Sequence, residues 1–379
     1  MAEFSDFAGR PCPDWYRRPQ LGVFIHWGVF AVPAWAPRGE SITELARSDY
    51  DNLFVRAPYS EWYSNALRIP GSPTAVRHAQ LYGERSYESF RPEFEAASAA
   101  FDADAWAELF AASGAGYVVL VTKHHDGYCL WPSTVANPHQ PGWNSSRDFV
   151  GELADAVRRR GMRFGLYYSG GLDWTFHHPA IRDMGDMFAC VPPGDDYRAY
   201  ALAQARELIQ RYRPAVLWND IAWPDQATLP GLFADYYAAV PDGVVNDRWT
   251  GDTAFFERLR DPAMRKAFND AVKARQAARK TERPSRPPPH CDFRTVEYGT
   301  GEGMGETKWE STRGLGLGFG YNSNERDEDY LSAAALNALY DDVTARGGNL
   351  LINVGPLADA SIPPLQAKLL RSLGEHQAG

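Results

Sequence analysis

Asp220 follows the apolar run Ala215-Val216-Leu217 and the pair Trp218-Asn219, in the string LWND. A carboxylate there can attack a carbon centre as a nucleophile. It can equally cap the next helix or pair with an arginine. Arg248 ends a similar run, in VVNDRW. A fixed cation near Asp220 would favour its ionised form, and a structural salt bridge is the plainer use of the same residue. Acid–base work on a glycosidic bond needs a second carboxylate. Glu297 (in CDFRTVEYG), Glu302, Glu306 and Glu310 (in KWES) are candidates, and spacing does not choose among the four.

Around these lie residues suited to holding a hydroxylated ligand. His124 and His125 are adjacent, and neighbours in a regular strand point to opposite faces. They cannot both ligate one metal unless the strand has already ended, so hydrogen bonding to hydroxyls is the better use. His26 sits beside Trp27, and Glu61-Trp62 joins a carboxylate acceptor to a stacking ring. Aromatic faces beside carboxylates suit a sugar, although aromatics are also simply good core fillers.

The elements that must position these residues are apolar runs ending in polar or glycine-rich clusters. Phe24-Ile25 leads into His26-Trp27-Gly28, Tyr117 to Val121 into Thr122-Lys123-His124-His125-Asp126, and Phe164 to Leu166 into Tyr167-Tyr168-Ser169. Ala215 to Leu217, Val244-Val245 and Asn349 to Asn353 behave alike. Continuous apolar runs of this length suit buried parallel strands. Helical periodicity separates several of them, at Asp102 to Ala112, Ser146 to Arg160, Tyr197 to Tyr212 (Leu202, Leu208 and Ile209 inward) and Asp327 to Arg346. Such alternation with chemistry at the carboxyl ends of strands predicts an α/β fold, a (β/α)8-like TIM barrel. Phe255 to Pro289 breaks the pattern. Its Arg and Lys residues, interleaved with Asp261, Asp270 and Glu282, predict a solvated helix and then a polyproline-like connector through PSRPPP.

Composition narrows the class. The chain has 379 residues, 44% of them hydrophobic and 13% aromatic, with a net charge of −9. An acidic chain does not favour nucleic acid or an anionic membrane as partner. No run approaches the ~18 apolar residues of a membrane span, and the N-terminus shows no apolar signal segment. Cys12, Cys129, Cys190 and Cys291 are scattered without metal spacing, as expected of a reduced, cytoplasmic protein. No cofactor or metal is expected. Oligomeric state is not readable from the sequence.

The strings LGVFIHWGVFAVPAW, SEWYSN, FDADAWAELFAASGAGYVVLVTKHHDGYCLWPS, LYYSGGLDW, LWND, VVNDRW, KWES and GGNLLINVGP occur in this order. Together they resemble the α-L-fucosidases of glycoside hydrolase family 29, from about Pro13 to Pro356. The resemblance implies a (β/α)8-like barrel and metal-free, exo-acting hydrolysis of terminal α-L-fucosides, on glycans or small fucosides, with retention through a covalent glycosyl-enzyme intermediate. Asp220 then matches the nucleophile. His26, Glu61, Trp62, His124, His125, Tyr167 and Trp218 match the fucose pocket, and Arg248 an arginine near the nucleophile. The acid/base loop varies in that family. DFRTVE resembles it, so Glu297 leads and Glu310 is the alternative.

Three departures stand out. The residue after the nucleophile is Ile221 where the family has glycine. The excursion at about 255–290 is long. Phe319, in FGYN, replaces a tryptophan at the wall near the sugar's methyl group. The chain also stops soon after the barrel, without the β-sandwich common in the family, which predicts one barrel domain over 1–379. Two other readings remain: a hydrolase for a related sugar such as an α-L-galactoside, or a catalytically silent fucose-binding module.

Overall fold

The hydrophobic runs become the staves of one parallel sheet, in a computed structural model that describes residues 2–278 and 287–379. Its strands are β1 (Leu21–Ile25), β2 (Tyr117–Lys123), β3 (Arg163–Tyr168), β4 (Val216–Asn219), β5 (Val244–Val245), β6 (Arg294–Glu297), β7 (Trp309–Gly314) and β8 (Asn349–Val354). Their order in the sheet is β5-β4-β3-β2-β1-β8-β7-β6, and every ladder is parallel. Every residue of β1, β2 and β8 is buried, as strands covered on both faces require.

The two edge strands are joined mainly through aspartates. Asp292 takes the Val245 amide on its carboxylate at 2.8 Å and gives its own amide to the Val245 carbonyl at 2.9 Å. Asp247 accepts the Thr295 amide at 3.0 Å, the Thr295 hydroxyl at 2.6 Å and Arg294 Nε at 2.6 Å. These bonds curl the sheet until β5 faces β6, giving the (β/α)8-like barrel.

Six strands coincide with the apolar runs. β6 and β7 do not, because RTVE and WESTRG are polar. The helices start where side-chain caps put them. Asp102 accepts the Ala105 amide before Ala103–Ala112. Asp148, rather than Ser146, caps Phe149–Arg159. Ser332 caps Ala333–Ala345, so the helix expected from Asp327 starts later and Asp327–Asp329 is a separate 3₁₀ turn. In Asp195–Tyr212 the inward face is Tyr197, Tyr200, Ala201, Ala205, Leu208 and Ile209, and Leu202 is only half-buried.

A second apolar cluster caps the carboxyl end of the barrel. Leu45, Leu53, Phe54, Tyr59, Trp62, Leu172, Trp174, Ile181, Met187 and Phe319 build it from the loops after β1, β3 and β7. The basic excursion joins this layer along one face, while most of Pro262–Ala278 is exposed, as expected of a solvated helix. It forms Thr253–Leu259 and Pro262–Ala278. Phe256 and Leu259 are buried, and Phe268 meets Phe188 and Phe255 edge-on at 6.1 and 5.6 Å. Asn269 accepts from the Tyr50 hydroxyl at 3.1 Å and from the Gly185 amide at 3.0 Å. Charge counting did not reveal this docked face, on which Phe268 and Asn269 lie beside the paired Arg265 and Lys273. Much of the expected polyproline-like connector lies outside the described residues. No helix among the described residues is long and apolar enough to cross a membrane, and all four cysteines are free thiols.

Candidate active site

Asp220 lies one residue beyond the carboxyl end of β4, and Glu297 is the last residue of β6. One guanidinium holds both. Arg248 Nη1 donates to Asp220 Oδ1 at 2.6 Å, and Nη2 donates to Glu297 Oε2 at 3.1 Å. Burial works against the charge of Arg248, but the two carboxylates outweigh it and hold its pKa above the ordinary value. The remaining oxygens are also fixed. The Tyr167 hydroxyl donates to Asp220 Oδ2 at 2.9 Å, and the Tyr59 hydroxyl donates to Glu297 Oε1 at 2.9 Å. The carboxylate side chains keep 14% and 30% exposure, so both face an opening.

Rings and histidines surround them. Tyr167 lies between Trp218, stacked at 5.4 Å, and His124, nearly parallel at 5.9 Å. β2 ends at Lys123, so His124 and His125 lie beyond the regular strand, with ring centroids 4.0 Å apart. His125 Nδ1 meets Ser169 Oγ at 2.6 Å, and its Nε2 is 3.8 Å from Asp220 Oδ2. His26 Nδ1 meets Asn353 Oδ1 at 2.6 Å. His124 Nδ1 is buried with no partner, and buried polar atoms normally have one. Burial lowers all three histidines, His26 to about 4, so they are neutral near pH 7. A neutral imidazole both donates and accepts, which suits a hydroxyl.

Trp62 stacks on Phe54 at 4.4 Å and stands edge-on to His125 at 5.1 Å. Glu61 is buried, and burial raises its pKa to about 7 although the Gly320 amide donates to it at 2.8 Å. Glycine is required at 320, because a Cβ would lie 2.6 Å from Ser60 Oγ. Next to it, Phe319 meets His26 at 4.9 Å, Tyr59 at 5.7 Å and Tyr298 at 5.9 Å. The structure therefore gathers His26, Glu61, Trp62, His124, His125, Tyr167, Trp218, Asp220, Arg248, Glu297 and Phe319 at one end of the barrel.

Glu310 is different. It lies near the amino end of β7, fully buried, and accepts from Tyr16 (2.7 Å), Tyr117 (2.5 Å) and Trp218 Nε1 (3.0 Å). Its carboxylate is the acceptor at the centre of an aromatic core beneath Trp218.

Sequence reasoning missed the supports. Tyr59 carries Glu297, and Ser169 and Asn353 orient His125 and His26. Lys123 pairs with Asp173 at 2.7 Å, both fully buried, with Lys123 Nζ 4.5 Å from the Tyr168 ring centroid. KHHDG flagged the histidines, but the lysine gave no sign that its partner would be Asp173. Among the described residues no group of three or more His, Cys, Asp or Glu is placed to hold a metal ion.

A parallel barrel carrying two carboxylates on one arginine, walled by rings and neutral histidines, defines the class of barrel glycoside hydrolases. Comparison with known proteins narrows this. A family model described as Alpha-L-fucosidase matches residues 2–378. The chain is 30% identical to the tissue alpha-L-fucosidase of Bos taurus over 393 residues, covering 98% of this chain and 69% of that one. It is 40% identical to an alpha-L-fucosynthase of Thermotoga maritima, TM-score 0.82, covering 98% of this chain and 75% of that one. It is equally 40% identical to the Thermotoga maritima alpha-fucosidase in complex with fucose, TM-score 0.79, with the same coverages. The chain belongs to the α-L-fucosidase family, glycoside hydrolase family 29.

Proposed function

We propose that this chain is a retaining, exo-acting α-L-fucosidase that hydrolyses terminal α-L-fucosides, on glycans or small molecules, through a glycosyl ester on Asp220. Glu297 protonates the departing oxygen in the first step. In the second it takes a proton from the water that cleaves the ester. The observation that carries this reading is the shared guanidinium. A nucleophile and an acid/base for retention stand about 5–5.5 Å apart across one bond, and Arg248 touches both Asp220 and Glu297. Glu310, whose oxygens are engaged in the core, is the weaker acid/base. The aromatic surround of Phe319 favours a methyl group over the hydroxymethyl of an α-L-galactoside.

The same reading covers the architecture, a single barrel domain whose 255–290 excursion shapes the aglycone side. Its support is the docking of Pro262–Ala278 on loops that carry Trp62 and Trp174.

Asp220→Gly tests the mechanism. Activity should fall to a trace, and azide should restore part of it by occupying the vacated space. Wild-type hydrolysis followed by NMR should release α-fucose first. Near-normal turnover in the variant, or β-fucose as first product, would sink the proposal.

A further inference from the structure

Beside the pocket, several buried nitrogens lack partners. Trp174 Nε1, His178 Nε2, Arg198 Nε and Arg260 Nε are shielded from solvent and bonded to nothing. Trp174 and His178 stack with centroids 4.7 Å and planes 3° apart. Trp174 also stands edge-on to Trp62 and His125, both at 5.5 Å. His125 in turn reaches Asp220, so this stack borders the sugar pocket.

Arg260 approaches the same place from the excursion. Its Nη2 donates to the Val191 carbonyl at 2.8 Å, and Val191 packs with Ala222 and Ile221, next in the chain to Asp220. The preceding Cys190 donates its thiol to the His177 carbonyl at 3.4 Å. Arg260, His177 and the Trp174–His178 stack are thus linked through residues 190 and 191.

The charges here are unbalanced. Arg68 is exposed and forms no ion pair among the described residues. Arg198 pairs at 3.0 Å with Asp195, whose side chain is 95% exposed. Glu257 attracts Arg260 without forming an ion pair, and Asp186 is already bound to Arg265 at 3.1 Å. The cations feel one another. Burial first, then Arg68 and His177, drive the His178 pKa down to about 2. Burial and then Arg198 oppose the charge of Arg260, against Glu257. On a chain of net charge −9, this leaves a local group of cations and unpartnered N–H groups. Buried donors without acceptors call for a missing partner, and charge-assisted bonds to carboxylate or sulfate oxygens are the strong way to supply one.

We propose that Arg68, Arg198, Arg260, His177, His178 and Trp174 form an aglycone subsite for an anionic saccharide, a sugar bearing a sulfate ester or a carboxylate next to the terminal fucose. This rests on the fucosidase reading. The anion lies against the guanidinium groups, and the Trp174–His178 stack offers an aromatic edge to the same sugar.

The test compares kcat/KM for three matched fucosylated disaccharides, one neutral, one sulfated and one with a uronic acid as the neighbouring sugar. The wild type should favour at least one anionic substrate by about tenfold, the value of one charge-assisted hydrogen bond. That preference should shrink severalfold in Arg68→Ala and in Arg260→Gln, and with added salt. Ratios taken within each variant cancel losses of folded enzyme. Which anionic substrate leads distinguishes sulfate from carboxylate. Turnover without anionic preference, or a preference that survives both substitutions, overturns the subsite. No turnover of any fucoside, including 4-nitrophenyl α-L-fucoside, sinks the fucosidase reading instead.

Discussion

Asp220 and Glu297 accept hydrogen bonds from the two terminal nitrogens of the same guanidinium, Arg248, at 2.6 and 3.1 Å. The arrangement orients both carboxylates across one opening. A guanidinium bridges two partners as a rigid fork, whereas an ammonium is a single point charge. Arg248→Lys should therefore lower kcat/KM for an aryl fucoside by about 10²–10³, the cost typical of losing one preorganised electrostatic contact. Activity within tenfold of wild type would show that charge alone suffices.

Glu297 and Glu310 should fail in different ways. Glu297→Ala should slow substrates with poor leaving groups far more than activated aryl fucosides, because the latter need little protonation. Glu310→Ala strands the hydroxyls of Tyr16 and Tyr117 and the indole N–H of Trp218 in a dry core. Buried unsatisfied donors cost about 1–3 kcal/mol each, so that variant should lose stability and affect all substrates alike. If Glu310→Ala shows the leaving-group pattern and Glu297→Ala does not, the acid/base role moves to Glu310.

Much of this site was legible in the sequence because barrel chemistry collects where apolar runs end. His26, His124, His125, Tyr167, Trp218 and Asp220 all follow or finish such runs. β6 and β7 escaped notice for a physical reason: their buried polar residues are paired across the barrel, Arg294 with Asp247 and Glu310 with Tyr16 and Tyr117. Only partners distant in sequence make RTVE and WESTRG suitable for a core. Tyr59 was illegible likewise, since its contact joins the loop after β1 to the end of β6, far away in sequence. The docking of the basic helix was hidden by its charges, because Arg265 and Lys273 share the docked face with Asn269 and find their partners in Asp186 and Asp51, far away in sequence.

Stability against pH should reveal the buried groups. Glu61 and Glu325 are raised by burial from 4.5 to about 7. A raised carboxyl stabilises the fold fully below its unfolded value, and that contribution is lost as pH rises through about 7. His26 is lowered from 6.5 to about 4, so its contribution is present above 6.5 and lost as pH falls toward 4. The slopes oppose each other between 4.5 and 6.5. Glu61→Gln removes one descending component, so its stability should climb more steeply with pH than that of wild type. The differential across pH 4.5 to 7 should reach about 3 kcal/mol. Urea denaturation at several pH values measures it, and parallel profiles would mean that Glu61 titrates as an ordinary carboxyl.

Ile221 presents the sharpest conflict between local preference and site geometry. Its φ is +66°, a left-handed conformation that a β-branched residue rarely adopts. The geometry persists because its amide donates to Asp220 Oδ1 at 2.8 Å and its side chain packs against two apolar clusters. Strain of this kind costs about 1–3 kcal/mol. Replacing isoleucine by glycine relieves it but removes the apolar contacts, so the cleaner comparison is between two truncations. Ile221→Ala and Ile221→Gly lose nearly the same contacts, but only glycine adopts positive φ freely. The glycine variant should be the more stable by about 1 kcal/mol, against the usual ranking in which glycine is the worse residue. It should also keep Asp220 bonded to Arg248, so its activity should exceed that of the alanine variant. An alanine variant more stable than the glycine one would show that the backbone at 221 relaxes once the isoleucine side chain is gone.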